Sequence, residues 1–320
     1  MTGVQTCALP ICFVGGAASA SLAWSARPGH AQQTVDGSDF RVTLLGTGTP
    51  VPSITRFGPS TLVEAGPEKL LFDCGRGATQ RLWQLKIKFS DVSSLFLTHL
   101  HSDHIVGIPD LWATGWLNQA WGGRREPLAV YGPSGTRDMI EHMRAAFAWD
   151  TQSRVKEQPL PMSGHEVRTV EIADGVIFDR NGVKVSAFTV DHGMANAPAF
   201  GFRIEYDGRV VVLSGDANPS EGLARAARGV DLYVQQVVMG FNAAAGVARG
   251  PRTDADQAGK MFAAAAPRMA AYSHIAFFAA GGAGVPSERD LLEATRKNYA
   301  GPLTVGEDLM SFFEIGRAHV

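Results

Sequence analysis

Apolar and polar positions alternate with period two from Phe40 to Leu45, and the stretch from Val63 to Phe72 reads as two strands parted by Gly66-Pro67. Two further apolar runs, Leu95-Phe96-Leu97 and Val210-Val211-Val212-Leu213, stop abruptly at polar residues and predict buried strands. Asn181-Gly182 and Asp207-Gly208 lie between apolar runs and predict hairpins, because type I′ turns need positive φ. Helices are expected over residues 77–87, 104–118, 134–148, 254–266 and 287–298. The fourth opens on Asp254 with Gln257 three residues on, and the last on Ser287 with Asp290, both capping-box spacings. Apart from a coarse two-half symmetry there is no repeat, and no low-complexity linker interrupts the pattern.

Composition narrows this to one large α/β domain over residues 40–313. The chain has 320 residues, 45% of them hydrophobic, with 36 glycines, enough to bury a sizeable core and still make many tight turns. A formal net charge of -2 gives no field for polyanion binding, and Arg124-Arg125 reads as a solvated loop. Cys74 is the one cysteine outside the N-terminal segment, so no internal disulfide is expected there, and its place after a strand marks it as a buried small residue rather than a nucleophile. No run is long and apolar enough to span a bilayer.

The ends read differently. Glu314–Val320 is what GAG ATC GGA AGA GCA CAC GTC encodes, the sequence of a short-read sequencing adapter, and Met1–Ile11 matches the reverse complement of such an adapter. Both are expected to be assembly artefacts, which leaves Cys7 and His319 without chemistry. Residues 12–31 have the apolar core and small-residue cleavage site of an export signal truncated at its start, with cleavage expected after Ala31 and a periplasmic or secreted product.

The chemistry concentrates in Thr98-His99-Leu100-His101-Ser102-Asp103-His104, directly after a buried strand. Neutral imidazoles and a carboxylate are the ligands zinc prefers, and one turn can aim alternate side chains at one point and the next pair at a second. His192 and His274 follow strand-like runs in the same way, and Asp216 ends Val210–Leu213 after Ser214-Gly215. His142 and His165 find no place in this pattern.

With these residues in order, the chain resembles the metallo-β-lactamase superfamily, whose HxHxDH signature stands here as His99 to His104. The closest likeness is to the ribonuclease Z branch, through Leu44–Pro52, Leu71–Gly77 and Tyr131-Gly132-Pro133. The resemblance implies a four-layer αββα sandwich with its ligands at strand ends on one edge. It also implies two zinc ions, one on His99, His101 and His192, the other on Asp103, His104 and His274, with Asp216 bridging and Asp73 orienting the ligand loop. Asp103 and Asp216 are then the catalytic carboxylates, acting on a metal-bound hydroxide.

One departure bears on substrate. Ribonuclease Z carries a His-Glu pair in the segment after Ser-Gly-Asp, whereas this chain has Gln235 and Gln236, and glutamine does not exchange a proton. The expectation is therefore a zinc hydrolase of a small ester, phosphodiester, sulfate ester or lactone, with a small molecule favoured over nucleic acid as substrate, no membrane span, and a homodimer left open. A ribonuclease Z-type endonuclease processing transfer-RNA 3′ ends and a non-catalytic metal-binding protein are the alternatives. Trp112, Trp116 and Trp121 follow the metal loop as a core face rather than a pocket wall, and His165 is the weak candidate for a leaving-group acid.

Overall fold

The computed structural model describes residues 40–194, 198–240, 253–279 and 284–313. The export-signal reading and both terminal artefact segments lie outside the described residues. Strands β1 (Phe40–Gly46), β2 (Ser60–Ala65), β3 (Glu68–Phe72), β4 (Ser94–Phe96), β5 (Leu128–Gly132), β6 (Val167–Glu171) and β14 (Ser311–Phe312) make one sheet, ordered β14-β1-β2-β3-β4-β5-β6. The second sheet repeats the plan: β7 (Gly175–Arg180), β8 (Val183–Val190), β9 (Ala199–Tyr206), β10 (Arg209–Leu213), β11 (Leu232–Met239), β12 (Met269–Phe277) and β13 (Leu303–Val305), ordered β13-β12-β11-β10-β9-β8-β7. Each sheet is antiparallel in one half and parallel in the other. This is the two-half symmetry glimpsed in the sequence.

Period-two burial decides the layering. Leu70 and Phe72 of β3 point between the sheets with Val211 and Leu213 of β10, while Leu71 and Val212 point outward to opposite helix layers. Phe72 stacks on Phe96 at 4.9 Å and meets Phe202 of the facing sheet at 5.3 Å. Helices α1 (Ala78–Gln84), α3 (Ile108–Trp116) and α4 (Thr136–Ala146) contribute to the outer core of the first sheet, and α6 (Glu221–Ala226), α7 (Ala255–Ala265) and α8 (Glu288–Arg296) to that of the second. Three cores between four layers give the αββα sandwich.

Both hairpins form as expected, with φ of 51° and 79° at Asn181-Gly182 and 50° and 70° at Asp207-Gly208. Both capping boxes form too: the Asp254 side chain accepts from the Gln257 amide, and that of Ser287 from the Asp290 amide. The expected helix over residues 104–118 is instead two, α2 (Ser102–Ile105) and α3. Gly107 packs so closely that a Cβ there would stand 2.5 Å from Gly75 O, its amide donates to Cys74 O at 2.8 Å, and a proline starts α3. Helix α5 (Ala148–Glu157) escaped the pattern reading because it buries no residue and so has no apolar stripe. Arg124 corrects another expectation. It is buried rather than solvated, donating to Phe89 O at 2.7 Å and to Leu111 O at 3.4 Å.

At the edge away from the strand ends that carry the histidines, the sheets are clamped by a buried carboxylate. Glu68, at the start of β3, accepts from Arg180 Nε at 2.7 Å and its Nη2 at 2.6 Å, from Asn181 Nδ2 at 2.6 Å and from Ser93 Oγ at 2.7 Å. Burial alone would raise the Glu68 pKa, but these donors outweigh it and hold the carboxyl below its ordinary value. A lowered folded-state pKa means stability that is present above the unfolded value, near 4.5, and lost as pH falls through the folded one. Arg180→Ala is therefore expected to cost about 1–3 kcal/mol at pH 7 and markedly less at pH 3. Denaturant unfolding at both pH values checks this, and an equal loss at both would assign the effect to packing on Phe178 instead.

Candidate metal centre

All seven sequence-derived donors converge on the edge where β4, β8 and β10 end, beside a bulge within β12. His99, His101, Asp103 and His104 come from the turn after β4 and from α2, His192 from the turn after β8, and Asp216 from the turn after β10. Gly215 makes the last turn possible: its φ is 60°, and a Cβ would lie 2.7 Å from Phe200 O and 3.0 Å from Thr98 Cγ2. His274 arrives by a different device. The β11–β12 register jumps from Gln236↔Ser273 to Val237↔Ile275, so His274 is the extra residue of a bulge, with φ at 48°. The bulge takes it out of the alternation that sends Tyr272 and Ile275 into the outer core.

Three groups of donors result, each with its ligand atoms within 4.8 Å of one another: His99, His101 and His192; Asp103, His104 and His274; and, joining them, His99, His104 and Asp216. His101 Nδ1 stands 2.8 Å from His99 Nε2 and 3.1 Å from His192 Nε2. His274 Nε2 stands 3.2 Å from Asp103 Oδ2 and 3.4 Å from Asp216 Oδ2, and His104 Nε2 is 3.6 Å from Asp103 Oδ2 and 3.7 Å from Asp216 Oδ1. Nitrogen and oxygen donors arranged tetrahedrally about zinc stand about 3.3 Å apart, the middle of this range.

The residues behind the donors fix which nitrogen faces inward. Asp73 has φ at 57° and accepts from the Thr98 amide at 2.9 Å, from the Thr98 hydroxyl at 2.9 Å, and from His104 Nδ1 at 2.7 Å. The Thr98 hydroxyl in turn accepts from His99 Nδ1 at 3.0 Å. With both Nδ1 atoms engaged, His99 and His104 present Nε2 to the site, the carboxylate–histidine arrangement that orients metal ligands. His104 Nε2 and Asp216 Oδ1 are buried and have no hydrogen-bond partner among the described residues. Two orphaned electron-pair donors, an imidazole nitrogen and a carboxylate oxygen, facing one point fit a cation between them.

The electrostatics agree with this fit. Burial pushes the His99 pKa far down, helped by His104, and burial lowers that of His192, so both rings are neutral with lone pairs available. Burial would also lower His104 and His274, yet Asp73 and Asp216 raise the first and Asp216 and Asp103 the second. Asp216 is held well below the usual carboxylate range against its burial, by His274 and His104. The carboxylates thus draw positive charge into this corner.

A family model described as anti-Pycsar protein Apyc1 matches residues 40–239. The ribonuclease Z of Mycolicibacterium gilvum (strain PYR-GCK) is 41% identical over 199 residues, 62% of this chain and 69% of that protein. The chain belongs to the Apyc1 family and to the ribonuclease Z-like metallo-β-lactamase superfamily. Among solved structures, the metallo-β-lactamase fold protein YhfI from Bacillus subtilis superposes with a TM-score of 0.67 at 15% identity, over 86% of this chain and 99% of that one. The short form of human tRNase Z does so with a TM-score of 0.62 at 22% identity, over 87% and 100%. This metallo-β-lactamase chain is accordingly a metallo-hydrolase.

These relatives correct the expected partner. A small molecule was favoured over nucleic acid because of the export signal and Gln235-Gln236, with a net charge that lends no support to a polyanion, but the curated relatives are ribonucleases Z. Net charge describes the whole surface, whereas a metal site sets its own local potential. Gln235 and Gln236 lie buried in β11, where Gln235 accepts from the Tyr233 hydroxyl and Gln236 donates to Ala217 O at 3.1 Å.

The remaining candidates fall elsewhere. His165 sits between Trp112 and Trp116, at 4.5 and 4.7 Å, with Nε2 on Thr151 Oγ1, and joins none of the donor groups. Trp112 and Trp116 are core residues, and Trp121 packs edge-on against Trp83. His142 is exposed on α4. Cys74 is fully buried with its thiol pKa pushed up by burial, which rules it out as a nucleophile. Thr98 is the functional residue that pattern reading passed over, and its place between strand end and first histidine was the available signal.

The donor set predicts close to two bound divalent ions per chain by elemental analysis, falling to about one in His274→Ala. Asp73→Ala should keep the fold but weaken metal retention about 10–100-fold against a chelator, because His104 loses its orienting partner. A wild-type ratio near one, unaffected by His274→Ala, would show that the second group does not bind.

Proposed function

We propose that this chain hydrolyses phosphodiester bonds in RNA using two zinc ions. His99, His101 and His192 would hold one, Asp103, His104 and His274 the other, and Asp216 would lie between them. The observation that carries the reading is the joining of two three-donor groups through one buried carboxylate, in a chain 41% identical to a ribonuclease Z. An imidazole-rich set of borderline donors suits zinc better than magnesium, which prefers oxygen ligands. When bound, the pair supplies Lewis acidity toward a phosphoryl oxygen and lowers the pKa of water toward about 7.

The chain's own residues do the rest. Thr98 and Asp73 lock His99 and His104 with Nε2 inward, and the neutral rings of His99 and His192 keep their lone pairs. Asp216 offsets the repulsion between two cations. Asp103, bonded to His274 at 3.2 Å, orients the attacking water in line with phosphorus. Gln235 and Gln236 exchange no proton, so the leaving oxygen takes its proton from solvent.

Asp216→Asn keeps the side-chain volume and removes the charge, and should lower kcat on a transfer-RNA precursor with a 3′ extension by at least about 100-fold, with loss of one metal. Gln236→Ala should change kcat less than about tenfold, since it removes a structural hydrogen bond to Ala217 O and no group that exchanges a proton. Turnover, zinc content and Tm are measured together. Zinc-loaded wild type that cleaves no RNA in a panel of structured and single-stranded transcripts would reject the substrate, and an Asp216→Asn variant with both metals and normal turnover would reject the bridging role.

A further inference from the structure

We infer that Arg76 and Arg137 form a two-point clamp for RNA backbone phosphates on either side of the ligand loop. This rests on the reading of the site as an RNA phosphodiesterase. The topology places them there. Strands β3, β4 and β5 are adjacent and parallel, so their C-terminal ends share one edge, and the turn after β4 carries His99 to His104. Arg76 lies in the turn after β3 and Arg137 at the start of α4 after β5. The ligand loop therefore emerges between the two turns, which are separated by two strand spacings, about 10 Å.

Each turn is pinned to the ligand loop. The Cys74 amide donates to His104 O at 2.7 Å, the Gly107 amide donates to Cys74 O at 2.8 Å, and a Cβ on Gly75 would stand 2.5 Å from Asp103 O. On the other side, a Cβ on Gly135 would meet Leu100 Cδ1 at 3.4 Å. The two arginines are thus carried on backbone whose position relative to the metal ligands is set.

Their guanidinium groups are uncommitted. Other arginines near this edge are engaged: Arg56 with Glu288, Thr47 and Gly306, and Arg81 with Asp308. Arg76 and Arg137 are exposed, and neither side chain makes a hydrogen bond or ion pair with a described residue. Glu171, near Arg137, is taken by backbone amides, accepting from Gly135 N at 2.9 Å and Arg137 N at 3.3 Å. An exposed guanidinium with five free donors matches phosphate oxygens in bidentate fashion. A chain crossing the edge over the donor groups would meet one arginine on each side, and a substrate with a single phosphate would not reach both.

The test is the salt dependence of kcat/KM on a 3′-extended transfer-RNA precursor, set beside hydrolysis of bis(4-nitrophenyl) phosphate, a diester too small to span the edge. Arg76→Ala and Arg137→Ala should each reduce the log–log salt slope by about 0.7, and the double variant by about twice that. Each should also raise KM on the RNA about 3–30-fold with kcat nearly unchanged, while Arg→Lys restores most of the slope. Zinc content, Tm and the small-diester rate should stay within about twofold of wild type, since neither residue contacts a donor. An unchanged slope in the double variant overturns the clamp, as does an equal loss on the small diester. Failure of the underlying reading looks different: wild type then hydrolyses the small diester but not the RNA, before any arginine is changed.

Discussion

Asp73 is a buried carboxylate at the end of β3, and a carboxylate out of water must be met by donors or give up its charge. It is met by the Thr98 amide and hydroxyl and by His104 Nδ1, all from the neighbouring segment. That single requirement ties the β3 turn to the ligand loop, fixes two imidazole tautomers, and holds Asp73 itself in a left-handed backbone conformation it would not otherwise choose. Removing the charge would release three donors at once. The inter-sheet contacts beneath, through Phe72, Phe96 and Phe202, give the carboxylate its dry surroundings and so give the hydrogen bonds their strength.

Two of the seven described non-glycine residues with positive φ lie in the same place. Among the non-glycine residues with positive φ, Asn181 and Asp207 serve hairpins, where the conformation matches the turn and costs little. Asp73 and His274 have no such excuse, and both belong to the metal corner. The core is close-packed in regular alternation up to the strand ends, and the irregularities begin where donors must turn out of that alternation toward a shared point. The rest of the sandwich, including the Glu68 clamp at the opposite edge, supplies the rigidity that keeps them there.

Much of this was readable in the amino-acid pattern. The hairpins, the capping boxes and all seven donors follow from turn chemistry, helix-end chemistry and histidine spacing, because each is governed by residues within a few positions. The bulge at His274 was hidden, since it depends on register against β11 rather than on anything local. So was α5, which packs no face and carries no stripe, and so was the burial of Arg124, whose partners are backbone carbonyls contributed by Phe89 and Leu111. The substrate was misread for a related reason. Gln235 and Gln236 were weighed as missing chemistry, whereas both are buried in β11 and hydrogen-bonded within the fold.

The bulged histidine carries a further consequence for how this protein is made. His274 meets Asp103 across 171 residues of chain, the first in β12 of the second sheet and the other in α2 after β4 of the first. Contacts of such separation are the slowest to form, because the entropy of closing so long a loop is spent before any reward arrives. During synthesis β1–β6 of the first sheet and the histidine loop emerge well before β12 does. A nascent chain can therefore gather an incomplete donor set while the second half is still absent, and the full site closes only when both sheets have docked. An ion held at that corner would then bind late and stabilise the finished topology over its partly folded precursors by mass action.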